Sequence, residues 1–340
     1  MRIAIANDND ANLMVLKHVI EKKTEHDVAW TAADGLEAIE KCKQDTPDMI
    51  LMDMIMPGVN GVQACQAIMK ETPCAILIVT ASVTGNAAMI FEAMSFGALD
   101  VVQTPFSGIA NTEAEVSDFI RKINVVKSLV KKNGYNNNAP ETTSDNTASE
   151  EKNQSILVIG SSTGGPGVLA TILSQLPEDF PIPVIIVQHV DSSFTNSFAS
   201  WLDNQSPLDV RIACEGERPQ AGSALIAGES DHLVMLANGK LSYSEEPKEM
   251  IYRPSVDVFF NSVAKQWQGS IIAALLTGMG KDGAQGLASI HKLGGHTITQ
   301  SKDTCAVYGM PKAADQLGVS TESLAPDEIA NSIINVLNGK

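Results

Sequence analysis

The stretch Ser155-Ile156-Leu157-Val158-Ile159-Gly160-Ser161-Ser162-Thr163-Gly164-Gly165-Pro166 runs from an apolar, β-branched segment into a glycine-rich turn and then a proline. The apolar run reads as a buried strand, and proline suits the first turn of a helix, where its missing N–H costs no hydrogen bond. Strand, tight turn and helix in that order are the repeating unit of a parallel α/β sheet. Within the turn, Gly160-x-Ser162-x-Gly164 matches the tight-turn serine pattern of many hydrolases, in which the hydroxyl is pushed out of the sheet and the following N–H groups face an anion. Ser162 is therefore the candidate nucleophile. The same turn equally suits a phosphate cradle, or close packing of a helix on a strand. A dinucleotide site is disfavoured because Ser162 stands at its second glycine position, where a side chain obstructs the pyrophosphate. A P-loop is excluded, since no Lys-Ser or Lys-Thr follows.

The 340-residue chain is long enough for two cores, and its 44% hydrophobic content is that of an ordinary soluble protein. No charged-then-apolar leader opens it, and no apolar run approaches the roughly 18 residues needed to cross a bilayer. A cytoplasmic protein without direct membrane insertion is expected. Cys42, Cys65, Cys74, Cys214 and Cys305 show neither paired nor metal-ligand spacing, which points to reduced thiols. A formal charge of −16, with no Lys/Arg cluster longer than a pair, argues against nucleic-acid partners. Residues 131–154 are polar and almost free of core residues, and read as a flexible linker between a domain at 1–130 and a second at 155–340.

In the first region, strands are expected at 2–6, 27–31, 49–53, 75–80 and 99–102, alternating with helices at 10–22, 35–43, 61–71, 86–96 and 112–130. Five βα units predict a five-stranded, flavodoxin-like parallel sheet with function collected beyond the carboxyl ends of its strands. Those ends carry Asn7 and Asp8, then Asp53, Thr80 and Thr104-Pro105. Two carboxylates and an amide oxygen suit a hard cation such as Mg²⁺, beside an aspartate able to accept a phosphoryl group. Either aspartate alone would equally suit a helix cap. Together with Met52-Asp53-Met54-Ile55-Met56-Pro57-Gly58 and Val79-Thr80-Ala81, the pattern resembles the receiver domain of two-component response regulators over about 130 residues. The resemblance implies that Asp53 is the phosphoacceptor, that Asp8 with Asp53 binds Mg²⁺, and that Thr80 is the switch hydroxyl. Three positions depart from it. Asn7 stands where an acidic residue is usual, Thr104 where a lysine holds a phosphoryl oxygen, and Val101 where an aromatic is usual.

From Ser155 onward, strands are expected at 155–160, 183–188, 210–214, 224–227, 233–236, 241–244, 271–277 and 296–299, in a doubly wound, mostly parallel α/β domain. The strand Val184-Ile-Ile-Val-Gln188 ends at His189, and Ile271 to Thr277 leads into Gly278-Met279-Gly280-Lys281-Asp282-Gly283. Ser162, His189 and Asp282 thus share one sheet edge as nucleophile, base and carboxylate. His232 is the serious competitor to His189, and Asp282 also suits a turn or helix cap.

Gly160-Ser-Ser-Thr-Gly-Gly165, Gln188-His189, Tyr252-Arg-Pro-Ser-Val-Asp257, Leu276-Thr-Gly-Met-Gly280 with Asp282-Gly-Ala284, and Gln300 through Cys305 to Tyr308-Gly-Met-Pro-Lys312 together resemble the chemotaxis protein-glutamate methylesterase family, CheB. The order of receiver, linker and catalytic domain is similar too. The resemblance implies hydrolysis of glutamate γ-methyl esters, and deamidation of glutamines, on the cytoplasmic helices of methyl-accepting chemoreceptors. In that reading Ser162 is the nucleophile, His189 the general base and Asp282 its orienting residue. Catalysis needs no metal, and a chemotaxis-type histidine kinase is the phosphodonor. Backbone N–H groups at Thr163 and Met279 are expected to form the oxyanion hole. Lys281 falls at a position that varies in the family, and Ala227-Gly228-Glu229 replaces the usual Ala-Pro-Gly before His232. Asn7 with Thr104 is similar to members serving Wsp-like, surface-sensing pathways. Two readings from other classes, a nucleotide-binding module and a non-catalytic docking scaffold, are disfavoured by Ser162 at the glycine position and by the intact Ser162, His189 and Asp282 set.

Overall fold

The structure, a computed structural model, describes residues 1–81, 86–105, 113–130, 155–228, 230–250 and 252–339. The expected linker at 131–154, the first residue of the helix expected from 112, and Glu229 lie outside the described residues.

The first domain runs β1 (Arg2–Ala6), α1 (Asp10–Lys23), β2 (Asp27–Ala32), α2 (Gly35–Gln44), β3 (Met49–Met52), α3 (Gly61–Glu71), β4 (Ala75–Thr80), α4 (Ala87–Ser95), β5 (Asp100–Gln103) and α5 (Glu113–Val130). Its five strands pair in the order β2-β1-β3-β4-β5, all parallel, as expected for a flavodoxin-like sheet. Every residue of β3 is buried, which is why Met49 to Met52 read as an unbroken apolar run: helices cover both faces of a central parallel strand. The helix starts follow their caps. Asn9 accepts from the N–H groups of Ala11 and Asn12, Asp34 from Glu37, and Asn60 forms a reciprocal capping box with Gln63.

The second domain continues with β6 (Ile156–Ser161), α6 (Gly165–Leu173), β7 (Val184–Gln188), α7 (Ser192–Asp203), β8 (Asp209–Ile212), β9 (Ser223–Ile226), β10 (His232–Met235), β11 (Leu241–Ser244), α8 (Val256–Gln266), β12 (Ile271–Leu275), α9 (Ala284–Lys292), β13 (His296–Gln300), α10 (Met310–Leu317), β14 (Glu322–Leu324) and α11 (Pro326–Leu337). Seven strands form one parallel sheet in the order β14-β13-β12-β6-β7-β9-β8. Two features differ from the sequence expectation. β10 and β11 leave the sheet and pair antiparallel as a separate hairpin, and a strand not expected from the sequence, the polar edge strand β14, joins parallel beside β13. The strand expected over 271–277 stops at Leu275, and its last two residues turn toward the site.

The two domains share apolar packing. α4 lies against α6 and α7, where the Phe91 ring packs, tilted, 5.1 Å from Phe198 and 5.6 Å from Trp201 (ring centroids). A Cβ on Gly167 of α6 would stand 2.8 Å from Ser95 Cα, so glycine permits the helix contact there. The receiver-type domain thereby packs on the helix that follows the Ser162 turn. None of the described helices is long and apolar enough to cross a membrane.

Candidate active site

β12, β6 and β7 are neighbours at the middle of the seven-stranded sheet, and chain order diverges from β6 in both directions. A crevice beyond the carboxyl ends is expected at such a switch point. Ser162, His189 and Asp282 follow these three strands. The Ser162 N–H donates to Thr277 O at 3.0 Å and the His189 N–H to Ser161 O at 3.0 Å, so the sheet ladder is prolonged one step on each side of the turn. The turn itself closes through the Gly165 N–H on Ser162 O at 2.8 Å, with Gly164 at φ 78°, a left-handed conformation that glycine adopts without strain.

A buried amide fixes the two halves of this edge together. Gln188 accepts the Ser161 hydroxyl at 2.6 Å, while its Nε2 donates to Ser162 O at 2.9 Å and His189 O at 3.0 Å. Opposite, Gly278 approaches so closely that a Cβ on it would lie 2.8 Å from Ser162 Cβ.

Asp282 is the most constrained group of the site. Its Oδ2 accepts from His189 Nε2 at 2.8 Å and from the Val256 N–H at 2.8 Å. Oδ1 accepts from the Ser255 hydroxyl at 2.8 Å and the Asp257 N–H at 3.0 Å. Ser255 is the N-cap of α8, so the carboxylate sits on a helix N-terminus, where unpaired N–H groups and the helix dipole favour an anion. Burial would raise the Asp282 pKa, but the hydrogen bond and charge of His189, with the Asp257 N–H and Ser255 hydroxyl, outweigh it and hold the group below 3.8. α8 reaches this position because Gly160 has no side chain: a Cβ there would lie 2.3 Å from Val256 Cγ1.

The imidazole of His189 is tied to Asp282 through Nε2, and its Nδ1 is buried without a hydrogen-bond partner among the described residues. Ser162 and His189 stand on adjacent strand ends without a direct side-chain hydrogen bond between them, a loose geometry common in ligand-free hydrolases. His232, the competitor, is scaffold. It is wholly buried, its Nδ1 accepts the Ser255 N–H at 3.1 Å and its Nε2 donates to Pro247 O at 3.2 Å.

Sequence reasoning missed Gln188 as a clamp, His232 as a support and Ser255 as the residue joining His232 to Asp282. Ser255 alone left a signal, the pattern of a capping serine before an apolar helix. Thr163 follows Ser162 and Met279 follows Gly278, which packs against Ser162, and neither N–H group has an acceptor among the described residues. Thr277 pins one side through Oγ1 on Thr163 O at 3.0 Å; the other is held by the Met310 N–H on Gly278 O at 2.9 Å.

The receiver-type pocket gathers its expected members at the sheet edge. Asn7 Nδ2 donates to Asp53 Oδ2 at 2.9 Å, and Asn7 Oδ1 accepts the Asn9 N–H at 2.9 Å, so the amide is engaged at both ends. Burial first, then the charge of Asp8, raises the Asp53 pKa against the N–H groups of Ile55 and Met54 and the Asn7 amide. Thr80 Oγ1 accepts from Asn86 Nδ2 at 3.5 Å. The Thr104 N–H donates to Thr80 O at 2.9 Å, while its hydroxyl is buried and unpartnered among the described residues. Lys122 is bound to the Val101 carbonyl and to Asp100. The donor set fits Mg²⁺ through its two carboxylates, close enough for Asp8 to act on Asp53, because this ion binds through one or two carboxylates and keeps its waters.

Fold and site define a two-domain protein in which a receiver-type sheet is joined to a doubly wound parallel α/β domain with a polar crevice at its switch point. The CheB methylesterase family profile matches residues 157–333, and the response regulator receiver domain profile matches residues 3–116. The chain belongs to the CheB methylesterase family. The protein-glutamate methylesterase/protein-glutamine glutaminase 1 of Bordetella avium is 46% identical over 330 residues, covering 97% of this chain and 95% of the relative. The enzyme numbered 3 of that name from Pseudomonas aeruginosa is 43% identical over 338 residues, 99% of this chain and 100% of the relative. The crystal structure of the Thermotoga maritima CheB methylesterase catalytic domain is similar with a TM-score of 0.51 and 40% identity, covering 53% of this chain and 97% of that one.

Asp257 adds a second, half-buried carboxylate behind the first, capping α9 by accepting the Gly286 N–H at 2.7 Å. Burial and the neighbouring Asp282 charge push its pKa up to about 6. A raised carboxylate pKa means that its contribution to folding is fully present below the unfolded value near 3.8 and is lost as pH rises through 6. Asp257→Asn keeps an acceptor for Gly286 and removes the charge. We expect its melting temperature to exceed that of the wild type above pH 6 and the difference to vanish below pH 4, read by thermal denaturation across that range; a pH-independent difference would refute the assignment.

Proposed function

We propose that the protein hydrolyses glutamate γ-methyl esters, and deamidates glutamines, on the cytoplasmic helices of methyl-accepting chemoreceptors, with Ser162 as nucleophile, His189 as general base and Asp282 as its orienting carboxylate. The observation that carries this reading is the division of His189, whose backbone N–H bonds Ser161 O beside Ser162: Nε2 is committed to a carboxylate fixed on a helix N-terminus, and Nδ1 is buried and has no hydrogen-bond partner among the described residues. Asp282 thereby selects the tautomer that leaves Nδ1 as the basic nitrogen. Nδ1 takes the Ser162 proton as Oγ attacks the ester carbonyl. The N–H groups of Thr163 and Met279 receive the developing oxyanion. Methanol, or ammonia from glutamine, departs with the proton returned by His189, and water then attacks the acyl-enzyme with His189 again as base. General-base assistance supplies about 10²–10⁴-fold, and one oxyanion donor roughly 10²–10³-fold in kcat. No metal enters these steps.

In the receiver domain, a chemotaxis-type histidine kinase supplies the phosphoryl group to Asp53. Mg²⁺ would be held by Asp8 and Asp53, and when bound it offsets the charge of the transferred group. The position of α4 on α6 supports a gating role for this domain. A cleft of about 490 Å³ between α5, at Ser117, Ile120 and Asn124, and Met279 supports it as well. Unphosphorylated, the receiver narrows access to the Ser162 crevice; phosphorylation loosens the contact.

Three measurements test these assignments. Ser162→Ala should fold normally and lose at least about 10³-fold in methanol release from methylated receptor; near-normal release would remove Ser162 from the nucleophile role. Asp53→Ala should abolish labelling by acetyl phosphate or the partner kinase, and label acquired equally well by the variant would place the acceptor elsewhere. Deleting residues 1–150 should raise the esterase rate, and an unchanged or lower rate would count against inhibition by the receiver.

A further inference from the structure

The segment from Tyr252 to Asp257 does more than cap a helix. Ser255 Oγ and the N–H groups of Val256 and Asp257 hold Asp282 from below. Three residues earlier, Tyr252 lies on the His189 ring, with centroids 4.3 Å apart and planes 7° from parallel. One short stretch therefore grips both partners of the His189–Asp282 pair, the carboxylate through its oxygens and the imidazole through its face. The phenol end of Tyr252 lies beside Gly280, whose Cβ, if built, would be 3.6 Å from the hydroxyl oxygen, so the ring reaches from His189 to the loop that bears Met279.

A single hydrogen bond at Nε2 leaves an imidazole free to tilt about that contact. Among the described residues Nδ1 has no hydrogen-bond partner, so no such bond steadies the opposite edge. What limits the tilt is a flat surface parallel to the ring, and Tyr252 supplies one. An aromatic face also carries negative quadrupole potential, so it attracts the imidazolium that forms when Nδ1 takes a proton more strongly than the neutral ring of the resting state. Both effects act in the transition state and neither requires contact with substrate.

We propose that Tyr252 is a positioning residue for His189, its ring face fixing the imidazole with Nδ1 open to Ser162 and stabilising the imidazolium formed during catalysis. The proposal rests on the esterase reading for its rate consequences, while the stack itself can be read without turnover. It assigns the role to the ring face and not to the hydroxyl. The segment is otherwise well supported, since Arg253 reaches the Lys248 carbonyl at 2.7 Å and the Ser255 N–H reaches buried His232 at 3.1 Å, so Tyr252 is presented by fixed backbone.

The test compares Tyr252→Leu, which keeps apolar bulk without a π face, with Tyr252→Phe, which keeps the face without the hydroxyl, both in the full chain. Tyr252→Leu should lower kcat for methanol release by roughly 3- to 30-fold, the range of a cation–π contact, with KM little changed. Tyr252→Phe should recover most of that loss. A second readout is the downfield proton NMR signal of the His189 Nε2–H bound to Asp282, which should broaden or vanish in Tyr252→Leu and persist in Tyr252→Phe. If Tyr252→Leu melts below the assay temperature, Tyr252→Met takes its place in both measurements. A wild-type kcat and an unaltered proton signal in the Leu or Met variant would overturn the proposal. So would a Phe variant as impaired as the Leu one, or a loss confined to KM. Absence of methanol release from the wild-type protein would instead sink the esterase reading, and the proton signal would then decide the stack alone.

Discussion

The carboxylate of Asp282 at the N-terminus of α8 is the contact on which the site depends. It is buried, so its charge is tolerated only because four donors converge on it: two backbone N–H groups, a hydroxyl and an imidazole. Each donor comes from a different structural commitment. The N–H groups require α8 to start at Val256, the hydroxyl requires Ser255 to be its cap, and the imidazole requires β7 to end at Gln188. Gly160 and Gly278 are the sequence cost of bringing these parts so close, because a Cβ at either would collide with Val256 or Ser162. His232 and Gln188 then lock the cap and the two strand ends. The Ser162 turn is thus held by a buried polar network that Gln188 joins to it through the Ser162 carbonyl, an arrangement preorganised before any ligand arrives.

Legibility of the sequence followed burial. Central parallel strands are covered on both faces, so β1, β3, β6, β7 and β12 appeared as continuous apolar runs and were placed to within a residue or two. Ser162 and His189 could be read because they stand where such runs stop. β14 could not, since Glu322-Ser-Leu324 is a three-residue polar edge whose strand character comes only from pairing with β13. β10 and β11 have the right periodicity, but four-residue runs do not say which sheet they join, and a tight return from Leu236 to Lys240 pairs them with each other. The supports of the site were hidden for a related reason. His232 opens β10, Tyr252 and Ser255 precede α8 and Asp282 follows β12, and only the packing of α8 across β6 makes them neighbours.

The receiver pocket shows the same economy of supports turned the other way. In the esterase site every oxygen of the key carboxylate is satisfied several times over, whereas around Asp53 the neutral Asn7 amide bonds it directly, Thr104 leaves a buried hydroxyl unpaired and Lys122 is held by Val101 and Asp100. A charge-assisted hydrogen bond contributes about 1.5–3 kcal/mol, and this pocket lacks the lysine that ordinarily supplies one. On the other side of the balance, α4 is anchored by wholly buried Phe91 among Phe198 and Trp201, a contact whose truncation costs about 3–5 kcal/mol in a packed core. A phosphoryl group with fewer cationic partners must therefore act against an aromatic anchor. Such a balance favours small shifts of α4 and α5 along the α6 and Met279 faces over release of the whole domain, because a shift keeps the aromatic contact buried while still changing the width of the cleft beside Met279.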